Sequence, residues 1–207
     1  MKISYAITVC NENEIIHLIN YLNKYKKFED EICVLLDKPK VTPYLLDQLY
    51  RFSSNDVITL KESSFNNNFA DWKNELNRMC VGDYIFNIDA DESPSSTLME
   101  NIHEVLKLNP NIRAFALPRI NTVANIGLSH IQKWKWNINE KGWINYPDYQ
   151  IRIYKNSLDI LWEGKVHETL NIKNEVVPLP SDTEDWVLYH PKDIERQEQQ
   201  NNLYNNL

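Results

Sequence analysis

The sequence predicts an α/β fold built on a mainly parallel sheet. Two observations predict it. In the first half, short β-branched and apolar runs alternate strictly with segments of helical periodicity, the mark of βαβ units. In the second half, short aromatic strands replace that alternation and helices become few. The 207 residues are 43% hydrophobic and 25% charged, ordinary for one sizeable domain with a real core.

Each element has its own signal. Ile3 to Val9 is a β-rich apolar run, and Asn13 to Lys27 places Ile15, Ile16, Leu18, Ile19 and Leu22 at helical spacing. Glu31 to Leu36 reads as a second strand. Thr42 to Phe52 reads as a helix entered through Pro43, which suits a first turn. Val57 to Leu60 is a third strand. Phe69 to Met79 is a helix with Phe69, Trp72, Leu76 and Met79 on one face, and Gly82 separates it from a buried strand, Tyr84 to Ile88. Ser93-Pro94-Ser95 opens a helix over Ser95 to Leu108. Strands follow at Ala114 to Arg119, Tyr149 to Tyr154, Val166 to Ile172 and Trp186 to Tyr189. Between them, Asn121 to Tyr146 has no periodicity but carries Trp134, Trp136 and Trp143, and a polar helix from Asp193 to Asn206 closes the chain.

Composition excludes several classes of function. With 22 basic and 29 acidic residues the net charge is −7, and no basic stripe is present, so nucleic acid is not an expected partner. No apolar run approaches the roughly 18 residues of a membrane span, and the start does not read as a signal peptide; the expectation is a soluble, cytoplasmic protein. Cys10, Cys33 and Cys80 are odd in number and far apart, which offers neither a disulfide framework nor a CxxC metal site. The 4 glycines form no GxGxxG and no P-loop. The 26 asparagines make no Asn-x-Ser/Thr sequon. His17, His103 and His130 have no supporting context and are expected at the surface.

In open parallel sheets, ligands bind beyond the carboxyl ends of the strands. The polar residues there are Asn11 and Glu12, then Asp37, then Asp89-Ala90-Asp91-Glu92. Asp89 and Asp91 are the sharpest pair. Side chains two apart on an extended segment share a side, and two carboxylates form a hard oxygen site for Mg²⁺ or Mn²⁺.

Gly82-Asp83-Tyr84-Ile85-Phe86-Asn87-Ile88-Asp89-Ala90-Asp91-Glu92 resembles the Asp-x-Asp segment of family-2 glycosyltransferases with the GT-A fold. Ile7-Thr8-Val9-Cys10-Asn11-Glu12 is similar to the first strand of that family and its Asn-Glu end. Phe69 to Asn74 resembles a segment ending in Arg-Asn, with Lys73 in place of Arg. Tyr146 to Tyr154 and Trp162 to Glu168 are similar to two further blocks, of a branch resembling lipopolysaccharide core glycosyltransferases of bacteria and their viruses. Asp37 falls where the family places an Asp that meets the base. Asp37-Lys38-Pro39-Lys40 departs from the usual Asp-Gly/Ser-Ser-Thr-Asp turn and alters the expected nucleotide contact.

The resemblance implies a single GT-A domain over 1–207, with a nucleotide-sugar-binding half at about 1–92, an acceptor and catalytic half at about 93–191, and a C-terminal helix at 192–207. It implies a metal-dependent, inverting transfer from a nucleotide-sugar, most simply a UDP-sugar, to a glycan or lipid-linked sugar, with peripheral membrane contact open. Thr8, Asn11, Glu12, Asp37, Lys73 and Asp89 would meet the donor. Asp89, Asp91 and a late histidine, His190, would hold Mn²⁺ or Mg²⁺. Lys73, Arg152 and Lys165 are candidate helpers for the diphosphate. Glu168 is favoured as the base, and Asp148 competes, or binds acceptor, or holds Arg152. Trp134, Trp136, Trp143 and Trp162 suit either stacking on sugars or packing. A nucleotidyltransferase on a similar sheet, or a non-catalytic nucleotide-sugar-binding module, are the alternative readings.

Overall fold

The structure is a computed structural model, described over residues 1–172 and 175–198. The first half runs β1 (Ile3–Val9), α1 (Ile15–Tyr25), β2 (Glu31–Asp37), α2 (Pro43–Ser54), β3 (Thr59–Ser63), α3 (Phe69–Asn77) and β4 (Tyr84–Asp89). The second half runs β5 (Ser93–Pro94), α4 (Ser96–Leu108), β6 (Ala114–Ala124), α5 (Leu128–Trp134) and β7 (Ile144–Lys155). It continues with β8 (Trp162–Glu163), β9 (Thr169–Leu170), β10 (Val176–Pro178) and β11 (Leu188–Asp193).

Among the described residues nine strands form one sheet in the order β3-β2-β1-β4-β7-β6-β11-β5, with β10 paired to β6. Strands β3, β2, β1 and β4 are mutually parallel, and β6 and β11 run parallel to each other. Strand β7 is antiparallel to both β4 and β6, so β6 and β11 point the same way as β4. The carboxyl ends of β2, β1, β4, β6 and β11 therefore share one rim, and the start of β7 enters from that rim.

Alternation along the strands divides the apolar residues between two faces. Ile3, Tyr5, Ile7 and Val9 pack under α1, α2 and α4, against Ile15, Leu18, Leu45, Leu49, Leu98 and Ile102. Ala6, Cys33, Leu35 and Ile85 face the other way, toward Ala70, Trp72 and Leu76 of α3 and toward Ile160, Trp162 and Leu170. Three helices are capped by side chains: Thr42, Asn68 and Ser95 accept from the amides of Leu45, Asp71 and Leu98. Gly82 is required by close approach, because a Cβ there would stand 2.7 Å from the Ser4 amide nitrogen.

Several expectations are corrected. The third strand begins at Thr59 and reaches Ser63, two residues later than the apolar run suggests. The strand expected over Val166 to Ile172 shrinks to Thr169–Leu170, because Gly164 and His167 adopt positive φ and kink the chain. The aperiodic stretch is largely ordered: β6 runs on to Ala124, α5 occupies Leu128–Trp134, and β7 starts at Ile144. The last strand is Leu188–Asp193 rather than Trp186 to Tyr189. Residues 194–198 are helical, and the rest of the span expected to be a helix, with Gln199, Gln200, Asn201 and Asn202, lies outside the described residues. Cys33 and Cys80 are buried free thiols, and Cys10 is half-buried. Among the described residues, no helix is long and apolar enough to cross a membrane.

His103 is buried rather than at the surface, with its Nε2 2.8 Å from Asp30 Oδ2. Asp30 also accepts from the amides of Ile3 and Lys27, at 2.8 and 2.9 Å, and so ties α4 to the start of β1 and the end of α1. Burial pushes this carboxyl up, but the His103 and amide hydrogen bonds outweigh it and hold it below the ordinary 3.8. A depressed carboxylate stabilises the fold fully above its unfolded-state value, and that stability is lost as pH falls through the folded-state value. Asp30→Asn is expected to lower unfolding free energy by about 3 kcal/mol at pH 7. The gap from wild type should narrow in urea titrations repeated below about pH 4. A gap independent of pH would contradict the assignment.

Candidate active site

The predicted rim is where the charged residues gather. At its centre lies Arg152 of β7, 3% exposed. Its Nη2 stands 2.5 Å from Asp89 Oδ2 and 2.6 Å from Glu92 Oε1. Among the described residues its Nε has no hydrogen-bond partner. Glu92 is itself 2% exposed and also accepts from Arg119 Nη1 at 3.0 Å, while its Oε2 accepts the Asp89 amide at 3.1 Å. Burial opposes ionisation of Asp89, but Arg152, Lys73 and Arg119 together hold its carboxyl far below the ordinary range.

The extended reading of Asp89 to Asp91 is corrected, and the two carboxylates take different partners. Strand β4 ends at Asp89, and a turn follows in which the Glu92 amide donates to the Asp89 carbonyl at 2.9 Å. Asp89 is consequently taken up by Arg152, whereas Asp91 faces the last strand. Asp91 Oδ2 lies 3.4 Å from His190 Nε2, 3.3 Å from Arg196 Nη2 and 3.8 Å from Lys192 Nζ. Burial raises the Asp91 carboxyl, and His190 and Lys192 outweigh it and hold it down. Burial pushes the Lys192 ammonium down from its ordinary value.

Among the described residues no three His, Cys, Asp or Glu side chains converge as a metal-binding set. Asp91 and His190 supply two donors, an oxygen and a nitrogen that face one another. Magnesium and manganese sites that act on phosphates often take one or two protein ligands and complete their shell with phosphate oxygens and water. That donor set fits such an ion.

The Lys73 and Glu168 pair forms the second wall. Lys73 of α3 is 7% exposed, with Nζ 2.7 Å from Glu168 Oε1, 3.9 Å from Asp89 Oδ1 and 4.4 Å from the centre of the Trp162 ring. The segment bearing Glu168 hangs from α3. The Asn74 amide clasps the Trp162 backbone with two bonds of 2.9 Å, and the Phe69 amide donates to the Lys165 carbonyl at 3.0 Å.

Asp148 does not hold Arg152. Its Oδ2 accepts from Arg119 Nε at 3.0 Å, Arg119 Nη2 at 2.7 Å and Asn121 Nδ2 at 2.8 Å, and its Oδ1 from Gln150 at 2.8 Å. Burial is overcome by Arg119, Asn121 and Gln150, and the carboxyl is lowered. Arg152 is spent behind Asp89 rather than open to a diphosphate. Lys165 is exposed on the Glu168 segment.

On the first strand, Thr8 is the register partner of Asp89. Glu12 folds back, its Oε2 accepting the amides of Cys10 and Asn11 at 2.8 and 3.1 Å. Asp37 is 4% exposed, with Oδ1 on the Phe65 amide at 3.1 Å and Oδ2 3.4 Å from Lys40. The substituted turn is thus a 3-10 turn, Lys38–Lys40, anchored on Asp37 itself. Trp162 is a core residue donating to the Tyr154 hydroxyl at 3.1 Å, while Trp134, Trp136 and Trp143 are half-buried.

Sequence reasoning passed over Arg119, Asn121, Lys192 and Arg196. The signal for the first two was present: residues two apart on a strand share a side, had β6 been continued past Arg119.

The sequence profile described as "Glycosyl transferase family 2" matches residues 4–160. The chain belongs to glycosyl transferase family 2. No curated protein matches it by sequence. Crystal structures of S. aureus TarS share the fold of this family-2 chain. The longer TarS form superposes with a TM-score of 0.55 at 17% identity, covering 92% of this chain and 37% of that one. TarS 1-349 in complex with UDP-GlcNAc gives 0.52 at 17% identity, covering 93% of this chain and 59% of that one. The complex of TarS 1-349 with UDP gives 0.54 at 16%, covering 92% and 60%. The family-2 chain therefore spans roughly two fifths to three fifths of the length of these structures. Its architecture is GT-A, a mixed α/β fold with a largely parallel central sheet.

The buried guanidinium gives a stability test. Arg152→Met strands Asp89 and Glu92 as buried charges and is expected to cost about 3–5 kcal/mol in urea unfolding. Arg51→Met, which removes an exposed pair with Asp47 on α2, is expected to change stability by less than about 1 kcal/mol.

Proposed function

We propose that this family-2 chain is a glycosyltransferase moving a sugar from a UDP-sugar to a hydroxyl of a glycan or lipid-linked acceptor, with inversion. The observation that carries the reading is the position of Lys73, whose ammonium lies between Glu168 and Asp89 at 2.7 and 3.9 Å. One cation thereby brings the candidate base beside the first carboxylate of the Asp-x-Asp segment. Family membership supports the reaction class. The UDP and UDP-GlcNAc complexes of TarS 1-349 support the choice of donor. The blocks at Tyr146 to Tyr154 and Trp162 to Glu168 support the branch resembling lipopolysaccharide core enzymes. In this reading residues 1–92 bind the donor, 93–191 carry the acceptor side, and 192–207 close the chain.

Thr8, Asn11, Glu12 and Asp37 line the nucleoside side of the rim. Glu12 acts by shaping the loop after β1 through its two amide contacts, and Asp37 by fixing the turn at Lys40. Asp91 and His190 would hold Mn²⁺ or Mg²⁺ with the donor diphosphate. That ion would neutralise charge on the departing phosphate oxygens. Asp89 supports the rim from behind through Arg152, and Lys73 adds positive charge on the diphosphate side.

Glu168 takes the acceptor hydroxyl proton as that oxygen attacks the anomeric carbon. The carbon–oxygen bond to the diphosphate breaks, and the nucleoside diphosphate leaves with the bond electrons. Asp148 is the weaker base because four hydrogen bonds already occupy its carboxylate, and stabilisation of the ionised form lowers its proton affinity.

Donor hydrolysis tests this. With UDP-, GDP-, CMP- and dTDP-sugars, nucleotide release is expected from a UDP-sugar, and EDTA should abolish it. Glu168→Gln should cut kcat by about 10²–10⁴ while UDP binding in calorimetry is retained. Absence of both turnover and metal-dependent UDP binding would end the enzyme reading.

A further inference from the structure

Three neighbouring strands, β11, β6 and β7, carry a chain of side chains across the rim. His190 is the register partner of Asn121, and Arg119 is the register partner of Asp148. The β6–β7 ladder is irregular between Arg119 and Asn121, and these two residues, two apart on the strand, both reach Asp148. Asn121 stands in the middle. Its Nδ2 donates to Asp148 Oδ2 at 2.8 Å, and its Oδ1 lies 2.7 Å from His190 Nδ1.

The orientation of this amide follows from the chemistry of its neighbours. Asp148 is paired with Arg119 by two hydrogen bonds, so it is a carboxylate and can only accept. The nitrogen of Asn121 must therefore face Asp148, and its oxygen must face His190. An amide oxygen can only accept, so Nδ1 of His190 must carry a proton. With Nδ1 committed to Asn121, the proton that a cation can replace is the one on Nε2, the nitrogen 3.4 Å from Asp91 Oδ2. Without a cation Nε2 faces that carboxylate as a proton donor, and once the proton is given up its lone pair and the carboxylate can share a divalent ion.

We propose that Asn121, locked by Asp148, is a positioning residue that holds His190 in the Nδ1–H tautomer and so makes Nε2 of His190 and the Asp91 carboxylate a preformed nitrogen–oxygen seat for a divalent cation. Asp148 thus acts through Asn121 rather than on the acceptor. The cation half of this inference rests on the proposed function; the tautomer half does not. Partners of this kind beside a metal-binding histidine typically change metal affinity by about 10- to 100-fold when removed.

The test uses the full chain labelled with ¹⁵N-histidine. Long-range ¹H–¹⁵N correlation, at a pH where the ring is neutral, reads the tautomer, and His190→Gln assigns the resonance. His190 is expected to be protonated at Nδ1 and bare at Nε2. Asn121→Leu removes the acceptor and should redistribute the tautomers. Mn²⁺ affinity, followed by the EPR signal of the free ion, should fall about 10- to 100-fold. The charge-preserving exchange Asn121→Asp with Asp148→Asn should restore the Nδ1–H form and most of the affinity, and it keeps the test open if Asn121→Leu does not fold.

An Nε2–H tautomer in the wild type, or a tautomer indifferent to both variants, overturns the inference even if Mn²⁺ binds and sugar is transferred. Failure of the wild type to bind Mn²⁺ overturns the cation seat and the metal assignment of the proposed function together, while the tautomer measurement decides the positioning role separately.

Discussion

Arg152 is the group on which the rim depends. Asp89, Asp91, Glu92 and Asp148 crowd the carboxyl edge of one sheet, and Glu92 is almost wholly out of water. Unpaired, such carboxylates would each cost several kcal/mol to bury. The remedy comes from topology. Strand β7 runs against its neighbours β4 and β6, and the Phe86–Ile153 register puts Arg152 beside the end of β4, where Asp89 and Glu92 can share its guanidinium.

That solution sorts the acidic residues by what remains open to a ligand. Asp89, Glu92 and Asp148 are engaged by arginines and serve chiefly to hold the rim in shape. Asp91 is faced by His190, Lys192 and Arg196 of the chain's last described segment, and Glu168 by Lys73, groups a bound substrate or ion can displace or share. The charge balance also changes character from chain to site. A chain of net charge −7 gathers Lys73, Arg119, Arg152, Lys192 and Arg196 around Asp89, Asp91, Glu92, Asp148 and Glu168, so charge is locally balanced at the rim although the protein as a whole is acidic.

Two different cores support the two walls. The face under α1, α2 and α4 is a large apolar cluster that steadies the parallel strands. The opposite face, built by α3 and the segment around Trp162, is smaller. It carries Lys73 and suspends Glu168 through Asn74 and Phe69. The kinks at Gly164 and His167 that break the expected strand are what let Glu168 turn back toward Lys73.

The α/β class, the alternation of the first four strands with helices, the helix starts at Pro43 and Ser95 and the rim positions of Asn11, Glu12, Asp37 and Asp89 were legible in the sequence, because each rests on local periodicity or turn chemistry that tertiary contacts reinforce. Legibility failed where polar residues replace the inward apolar positions. Strand β6 looked finished at Arg119 because Arg119 and Asn121 face the site rather than a core, and hydrophobic alternation is the only signal a lone strand offers. His103 looked exposed because its partner Asp30 is 73 residues away in the chain. Only the tertiary structure decided that Asp89 belongs to Arg152, Asp91 to His190 and Asp148 to Arg119 and Asn121. Those pairings depend on strand order and register, and charge attracts across neighbouring strands with no regard for distance along the chain.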